Sequence, residues 1–212
     1  MKKFLAILLT LLLVLGLAAC GGNDSEAAED SSAATNDTAT ETPTDEPEEE
    51  STEPAGGTLV VYFSMTGTTR GIAEKIATIT GADIYEIKAA QEYTSDDLNY
   101  NDSETRATVE QKDPTVRPEI GSGPVSLDGY STVYIGYPIW WGEEPRIMDT
   151  FVESCNFEGK TVIPFCTSGS SSIGNSGKNL AANAGSGNWL DGQRFSGSTT
   201  EDELRAWIEG LQ

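Results

Sequence analysis

The stretch Leu59-Val-Val-Tyr-Phe-Ser-Met-Thr-Gly-Thr-Thr69 decides how this chain folds. A short apolar run, Leu59 to Phe63, stops at Ser64, and hydroxyls crowd around Gly67 over the next positions. A helical pattern then begins: Ile72, Ile76 and Ile79, flanked by Ala73 and Ala77, recur at helix spacing until Gly81 ends it. A strand, a hydroxyl-rich turn and a helix in succession suit an anion without needing a positive side chain. The first N–H groups of a helix have no partner within it, and its dipole favours negative charge there. Ser64, Thr66, Thr68 and Thr69 add side-chain donors at the same point. Ordinary helix capping would use one such hydroxyl. Four in one turn point to a phosphate cradle.

Downstream the pattern alternates. Asp83 to Ile87, Thr132 to Tyr137 and Thr161 to Cys166 read as strands, and Asn188 to Phe195 should hold a fifth. A helix from about Pro145 carries Ile147, Met148, Phe151, Val152 and Cys155 inward, and another covers Lys178 to Asn183. A last one starts at Thr199 or Thr200, with Leu204, Trp207, Ile208 and Leu211 inward and Asp202 or Glu203 completing a capping box. From Ala89 to about Asp128 the chain is polar and proline-punctuated, with helix predicted only near Glu104 to Gln111. A connection of that length tends to be functional or mobile. Alternation of this kind predicts an α/β fold, a parallel sheet with helices on both faces, whose ligand lies beyond the carboxyl ends of the strands.

Three loops fall on that edge: Ser64 to Thr69, Pro138 to Glu144 and Thr167 to Gly174. The second, Pro138-Ile-Trp-Trp-Gly142, offers flat apolar surface for an aromatic ring, although one of the two tryptophans could equally be core. Gly142 lets backbone approach a ring edge. The third loop supplies backbone and hydroxyl donors from Thr167, Ser168 and Gly169. A phosphate, a ring and a polar ring edge together describe a phosphorylated heteroaromatic ligand. Two other nucleotide motifs fail. Gly169 to Lys178 has Ser172 where a P-loop needs its first glycine and Asn179 after the lysine, and Gly185-Ser-Gly187 lacks the third glycine of a dinucleotide fingerprint.

Over residues 58–212, with all three loops in order, the chain resembles the flavodoxin family, and within it a subgroup with Pro-Ile-Trp-Trp-Gly in the second loop. The resemblance implies a flavodoxin-like three-layer sandwich, with a five-stranded parallel sheet in the order 2-1-3-4-5, and bound FMN. Ser64, Met65, Thr66, Gly67, Thr68 and Thr69 match the phosphate loop. Pro138, Ile139, Trp140, Trp141 and Gly142 match the ring loop, with Trp141 where the family stacks a side chain on the flavin and Gly142 as the peptide that turns toward N5. Thr167, Ser168 and Gly169 match the pyrimidine edge, and Glu143 or Glu144 either accepts from N3 or is a solvated carboxylate at the start of the next helix. Many family members stack a third-loop tyrosine on the other flavin face, and this loop has none. That face is either open to a second flat molecule or covered by Tyr93 or Tyr100 from the long insertion. The resemblance implies an electron carrier serving a redox partner protein or a small-molecule acceptor. The alternatives are an FMN-dependent NAD(P)H:quinone-type reductase, or a binding module that has lost the flavin.

The remaining chain speaks to location and to excluded chemistry. Lys2 and Lys3 precede an apolar stretch, Phe4 to Leu15, too short to span a bilayer, and Leu17-Ala-Ala-Cys20 resembles a bacterial lipobox. Residues 1–19 are therefore expected to be a lipoprotein signal peptide, with acyl chains on Cys20 as the membrane anchor and the domain on the extracytoplasmic side. Residues 20–57 hold twelve acidic side chains and no Lys or Arg, which predicts a disordered acidic tether. Of 34 acidic residues that leaves 22, and without Lys2 and Lys3 the 13 basic residues become 11, so the domain stands near −11. This balance excludes nucleic acid as a partner. It also predicts a reduction potential below that of free flavin, because a negative field disfavours an anionic reduced ring. No histidine occurs, so catalysis by Ser-His-Asp or Cys-His and imidazole metal ligation are excluded. Cys155 and Cys166 fall toward opposite edges of the predicted sheet, too far apart for a disulfide.

Overall fold

The computed structural model describes residues 56–211. The segment expected to be a signal peptide, Cys20 and nearly all of the expected tether lie outside the described residues.

Seven strand residues open the domain: β1 (Gly57–Phe63) is followed by α1 (Thr68–Thr80) and β2 (Asp83–Ile87). Strand β1 starts two residues before the expected Leu59, with Gly57 N donating to Gly129 O at 2.7 Å. A long connection containing α2 (Arg106–Lys112) leads to β3 (Tyr130–Pro138) and α3 (Arg146–Glu153). Then come β4 (Thr161–Thr167), α4 (Ser176–Ala184), β5 (Asn188–Trp189), β6 (Gln193–Phe195) and α5 (Glu201–Glu209). The sheet is parallel throughout, in the order β2-β1-β3-β4-β5, with β6 also on β4. The predicted fifth strand is thus two short pieces on one neighbour. Leu190 N still donates to Val162 O, but pairing resumes only at Gln193. The expected flavodoxin-like order 2-1-3-4-5 holds across this break.

Alternation along β1 sorts the core into two layers. Leu59, Val61 and Phe63 join Ile147, Met148, Phe151 and Leu180 under α3 and α4. Val60 and Tyr62 join Ile72, Ile76, Leu204 and Ile208 under α1 and α5. Each inward side chain removes enough apolar area to contribute roughly 1.5–3 kcal/mol. Ile79, Trp207 and Leu211 pack at the edge of the second layer instead of deep within it. Helix α3 ends at Glu153, so Cys155 sits just beyond it. Helix α5 is closed by a complete capping box of Thr200 and Glu203. Cys155 and Cys166 are both free thiols, as topology required.

The long connection is more ordered than its composition suggested. Ala89 bridges to Ile120, and Tyr93 is buried, donating to Glu110 at 2.6 Å beneath the Arg106 guanidinium.

Candidate functional site

Beyond the carboxyl ends of β1, β3 and β4 lies a cavity of about 510 Å³, within the range that holds small-molecule cofactors. Met65, Thr66, Thr68 and Thr69 line one side. Pro138, Ile139 and Trp140 form an apolar wall, and Thr167, Ser168 and Gly169 a polar one. Three separate loops are therefore brought together as the sequence predicts.

The first loop ends in an open helix start. Gly67 occupies the N-cap of α1 at φ 86°, a left-handed conformation that favours glycine, and no side chain caps the helix. A Cβ on Gly67 would meet nothing within 4 Å, so it is the left-handed backbone and not crowding that favours glycine here. Thr66 and Thr68 hydroxyls stand 3.4 Å apart at the rim. Thr69 is turned inward, 1 % exposed, and its hydroxyl bonds that of Thr167 at 2.7 Å, joining the first loop to the third. Ser64 goes elsewhere: its hydroxyl, shielded from water and without a partner, lines a neighbouring recess with Arg70, Lys88 and Glu92.

The second loop is a tight turn. Trp140 and Glu143 exchange both backbone hydrogen bonds, at 2.9 and 3.0 Å. Between them Trp141 has φ 49° and Gly142 φ 88°, the pair of left-handed residues that a type I′ turn requires. Trp141 is the single non-glycine residue with positive φ among the described residues. A bulky side chain there costs on the order of 1 kcal/mol or more, and such strain clusters at functional sites. The two tryptophans divide their roles. Trp140 is 3 % exposed and packs edge-on against Phe63 and Tyr93, while Trp141 is 38 % exposed.

Trp141 and Gly142 do not line the cavity, contrary to the expectation from the family pattern. The ring of Tyr100 does, and its centroid lies 4.3 Å from that of Trp141, tilted 35°. Tyr93, the other candidate for the outer face, is committed to the core.

Three lining residues lie outside the sequence candidates, Leu98, Ser196 and Gly197, whereas Tyr100 is one of the two tyrosines expected near the ring. Ser196 and Gly197 follow β6, and a Cβ on Gly197 would reach Thr68 Cγ2 at 3.3 Å. Their one sequence signal is a polar turn directly after a strand. Arg194 also went unnoticed. Its Nη2 donates to the carbonyls of Ser168 and Gly169 at 2.6 Å each, fixing the third loop. Ile139 N donates to Thr167 O at 3.0 Å, tying the second loop to the third.

Glu143 and Glu144 point away from the cavity into a recess of about 490 Å³ behind the turn. Glu144 is 1 % exposed, and that burial pushes its carboxyl up to about 7 against the milder pull of Asn179 and Arg146. Burial likewise raises Asp149. Arg146, itself buried, donates to Glu143 at 2.7 Å and stands 3.8 Å from Glu144 and 3.6 Å from Asp149. Gln111 of α2 donates through Nε2 to the carbonyls of Trp140 (3.1 Å) and Glu144 (3.0 Å), so the long insertion holds the turn from behind.

A family model described as Flavodoxin matches residues 57–211. No curated protein matches the chain. Among solved structures, two proteins provisionally described as flavoproteins are 46 % identical to it. The Bacteroides uniformis protein has a TM-score of 0.70, with 73 % of this chain and 99 % of that one covered. For the Bacteroides eggerthii protein the TM-score is 0.69, with 74 % and 98 % covered. A flavoprotein in complex with FMN from Lactobacillus acidophilus is 24 % identical, with a TM-score of 0.56 over 73 % of this chain and 99 % of that one.

Proposed function

The chain belongs to the flavodoxin family, and from that premise we propose that residues 57–211 bind FMN and carry electrons on the outer side of a cell membrane. The observation that carries this reading is the open start of α1 beside an apolar-walled cavity, with hydroxyls and no charged side chain among the lining residues. An FMN phosphate would be held at α1 by its free N–H groups and by Thr66 and Thr68, with Thr69 bracing the loop. The ring would lie against Met65, Pro138, Ile139 and Trp140, and its polar edge toward Thr167, Ser168 and Gly169. FMN in the Lactobacillus protein is consistent with this choice of cofactor. When bound, the flavin supplies the capacity to accept and release one or two electrons, and the protein sets its place and potential.

The chain's own residues do three things. Backbone dipoles and hydroxyls bind the anion, so the negative field of the domain is not cancelled at the ring. The Thr69–Thr167 hydrogen bond and the Arg194 bridge hold the loops at fixed separation. Trp140, wedged among Phe63 and Tyr93, gives the cavity a rigid wall. A lipid on Cys20 and the acidic tether beyond it would keep this domain near the membrane, within reach of a redox partner protein or a small-molecule acceptor.

A visible absorption spectrum of the purified protein, before and after FMN addition and stepwise reduction, tests the reading. Flavin bands with a potential below that of free FMN are expected. A protein that stays colourless and takes up no FMN would sink the proposal. Rapid oxidation of NAD(P)H by the loaded protein would replace the carrier with a reductase. Membrane release on Cys20→Ser checks the anchor.

A further inference from the structure

We propose that Tyr100, delivered by the insertion between β2 and β3, is the aromatic wall on the exposed side of the ring subsite, with Trp141 as its backing. The inference rests on FMN occupying the cavity. Of the two exposed aromatic side chains near the site, Tyr100 lines the cavity and Trp141 does not. Their rings lie against each other, 4.3 Å between centroids and tilted by 35°, and because Trp141 stays outside the lining it braces Tyr100 from outside the cavity. Leu98 lines the cavity beside it.

The tip that carries Tyr100 is tied down on both sides. Before it, the Asp97 carboxylate accepts from Thr94 N at 2.7 Å and from Thr94 Oγ1 at 2.8 Å. After it, Asp102 accepts from Glu104 N at 2.9 Å through Oδ1, and from Thr108 Oγ1 at 3.1 Å through its carbonyl. At the tip itself Asn101 N donates to Asn99 Oδ1 at 3.1 Å. Tyr100 is thus presented at a fixed place, 56 % exposed at the cavity rim. An aromatic side chain held that open at a cofactor rim gains its partner when a flat ring enters. The third loop contributes no aromatic residue, and Tyr100 does its work from a different element. Its functional consequence is exclusion: a tyrosine over the ring takes the place a second flat molecule would need, which favours electron transfer at the ring edge over direct stacking of a nicotinamide or quinone.

Fluorescence titration of FMN into wild type, Tyr100→Ala and Tyr100→Phe decides the matter. Wild type and Tyr100→Phe should bind alike and quench the flavin. Tyr100→Ala should bind about 3- to 10-fold more weakly, the worth of one aromatic stack, and recover part of the flavin emission. Unchanged or tighter binding by Tyr100→Ala would overturn the inference, since it would mean that Tyr100 only shields Trp141 and competes with the ring. Should wild type itself fail to bind FMN, the cofactor reading falls first and this inference with it.

Discussion

Two recesses of similar size share the Trp140–Glu143 turn as a wall, and they are built from opposite chemistry. The cavity in front, about 510 Å³, is lined by hydroxyls, glycines and apolar side chains with no charged group among them. The recess behind, about 490 Å³, is lined by Lys112, Glu143, Glu144, Arg146 and Asp149 together with amides. Fixed dipoles can take up and release an anion without leaving a buried charge stranded in the empty state. Buried charges have no such freedom. Once Glu144 and Asp149 are taken from water they hold Arg146 in place, and Arg146 in turn holds the backbone and side chain that set the turn. The front is arranged for exchange and the back for rigidity.

Removing the cation from the back should have the largest effect. Arg146→Met leaves Glu144 and Asp149 buried without their shared partner and frees Glu143. Breaking a buried pair in this way costs about 3–5 kcal/mol. Chemical denaturation at pH 8 should show that loss, and at pH 5 a smaller one, because Glu144 can then take a proton instead. A loss below about 1 kcal/mol at pH 8 would mean that the recess is solvated and the contrast with the cavity false.

Loss of a proton should do more gently what that substitution does. Burial holds the Glu144 carboxyl up to about 7 in the folded protein, above its ordinary value of 4.5. Between those values the folded state keeps a proton that the unfolded chain has lost. This contribution is therefore fully present below about pH 4.5 and is lost as pH rises through 7. Asp149, raised as well, acts with the same sign. Carboxylates held low by hydrogen bonds, such as Asp97 and Glu203, slope the other way but only at more acid pH. Stability measured by denaturant should fall on the order of 2 kcal/mol from pH 5 to pH 8. Glu144→Gln should flatten much of that slope, and an equally steep slope in the variant would assign it to another group.

The front of the turn could be read in the sequence and the back could not. Four hydroxyls around Gly67, the Trp140-Trp141-Gly142 run and Thr167-Ser168-Gly169 are local signals, each within one loop at the end of a strand with clear periodicity. The layers followed for the same reason, since alternation along β1 and the spacing of Ile72 and Ile76 are periodic facts. Gln111, Arg146 and Arg194 gave no such signal. Each acts by reaching a backbone carbonyl of a distant segment, as Gln111 does across to Trp140, and sequence spacing says nothing about such pairings. Glu144 was misplaced for a related reason: one residue of turn geometry decides which side of the loop a carboxylate faces. The left-handed φ of Trp141 set that geometry, and nothing about a tryptophan announces it. The break in the fifth strand was equally hidden, because Gly192 looks like strand punctuation until Pro164 and Ile173 are seen packed against it.

The smallest effect should come from salt, and its sign tests the neutrality of the cavity directly. A cradle of Lys and Arg would lose anion affinity as ions screen it. Here Arg194 is occupied with carbonyls, Arg70 with Glu86, and no cation lines the cavity. The domain carries an excess of acidic residues, so screening relieves repulsion of the incoming phosphate instead of weakening an attraction. FMN affinity measured between 50 and 500 mM salt should stay level or tighten about twofold. A steep loss of affinity with salt would show that a positive side chain swings into the front recess, and the division between a neutral front and a charged back would then have to be abandoned.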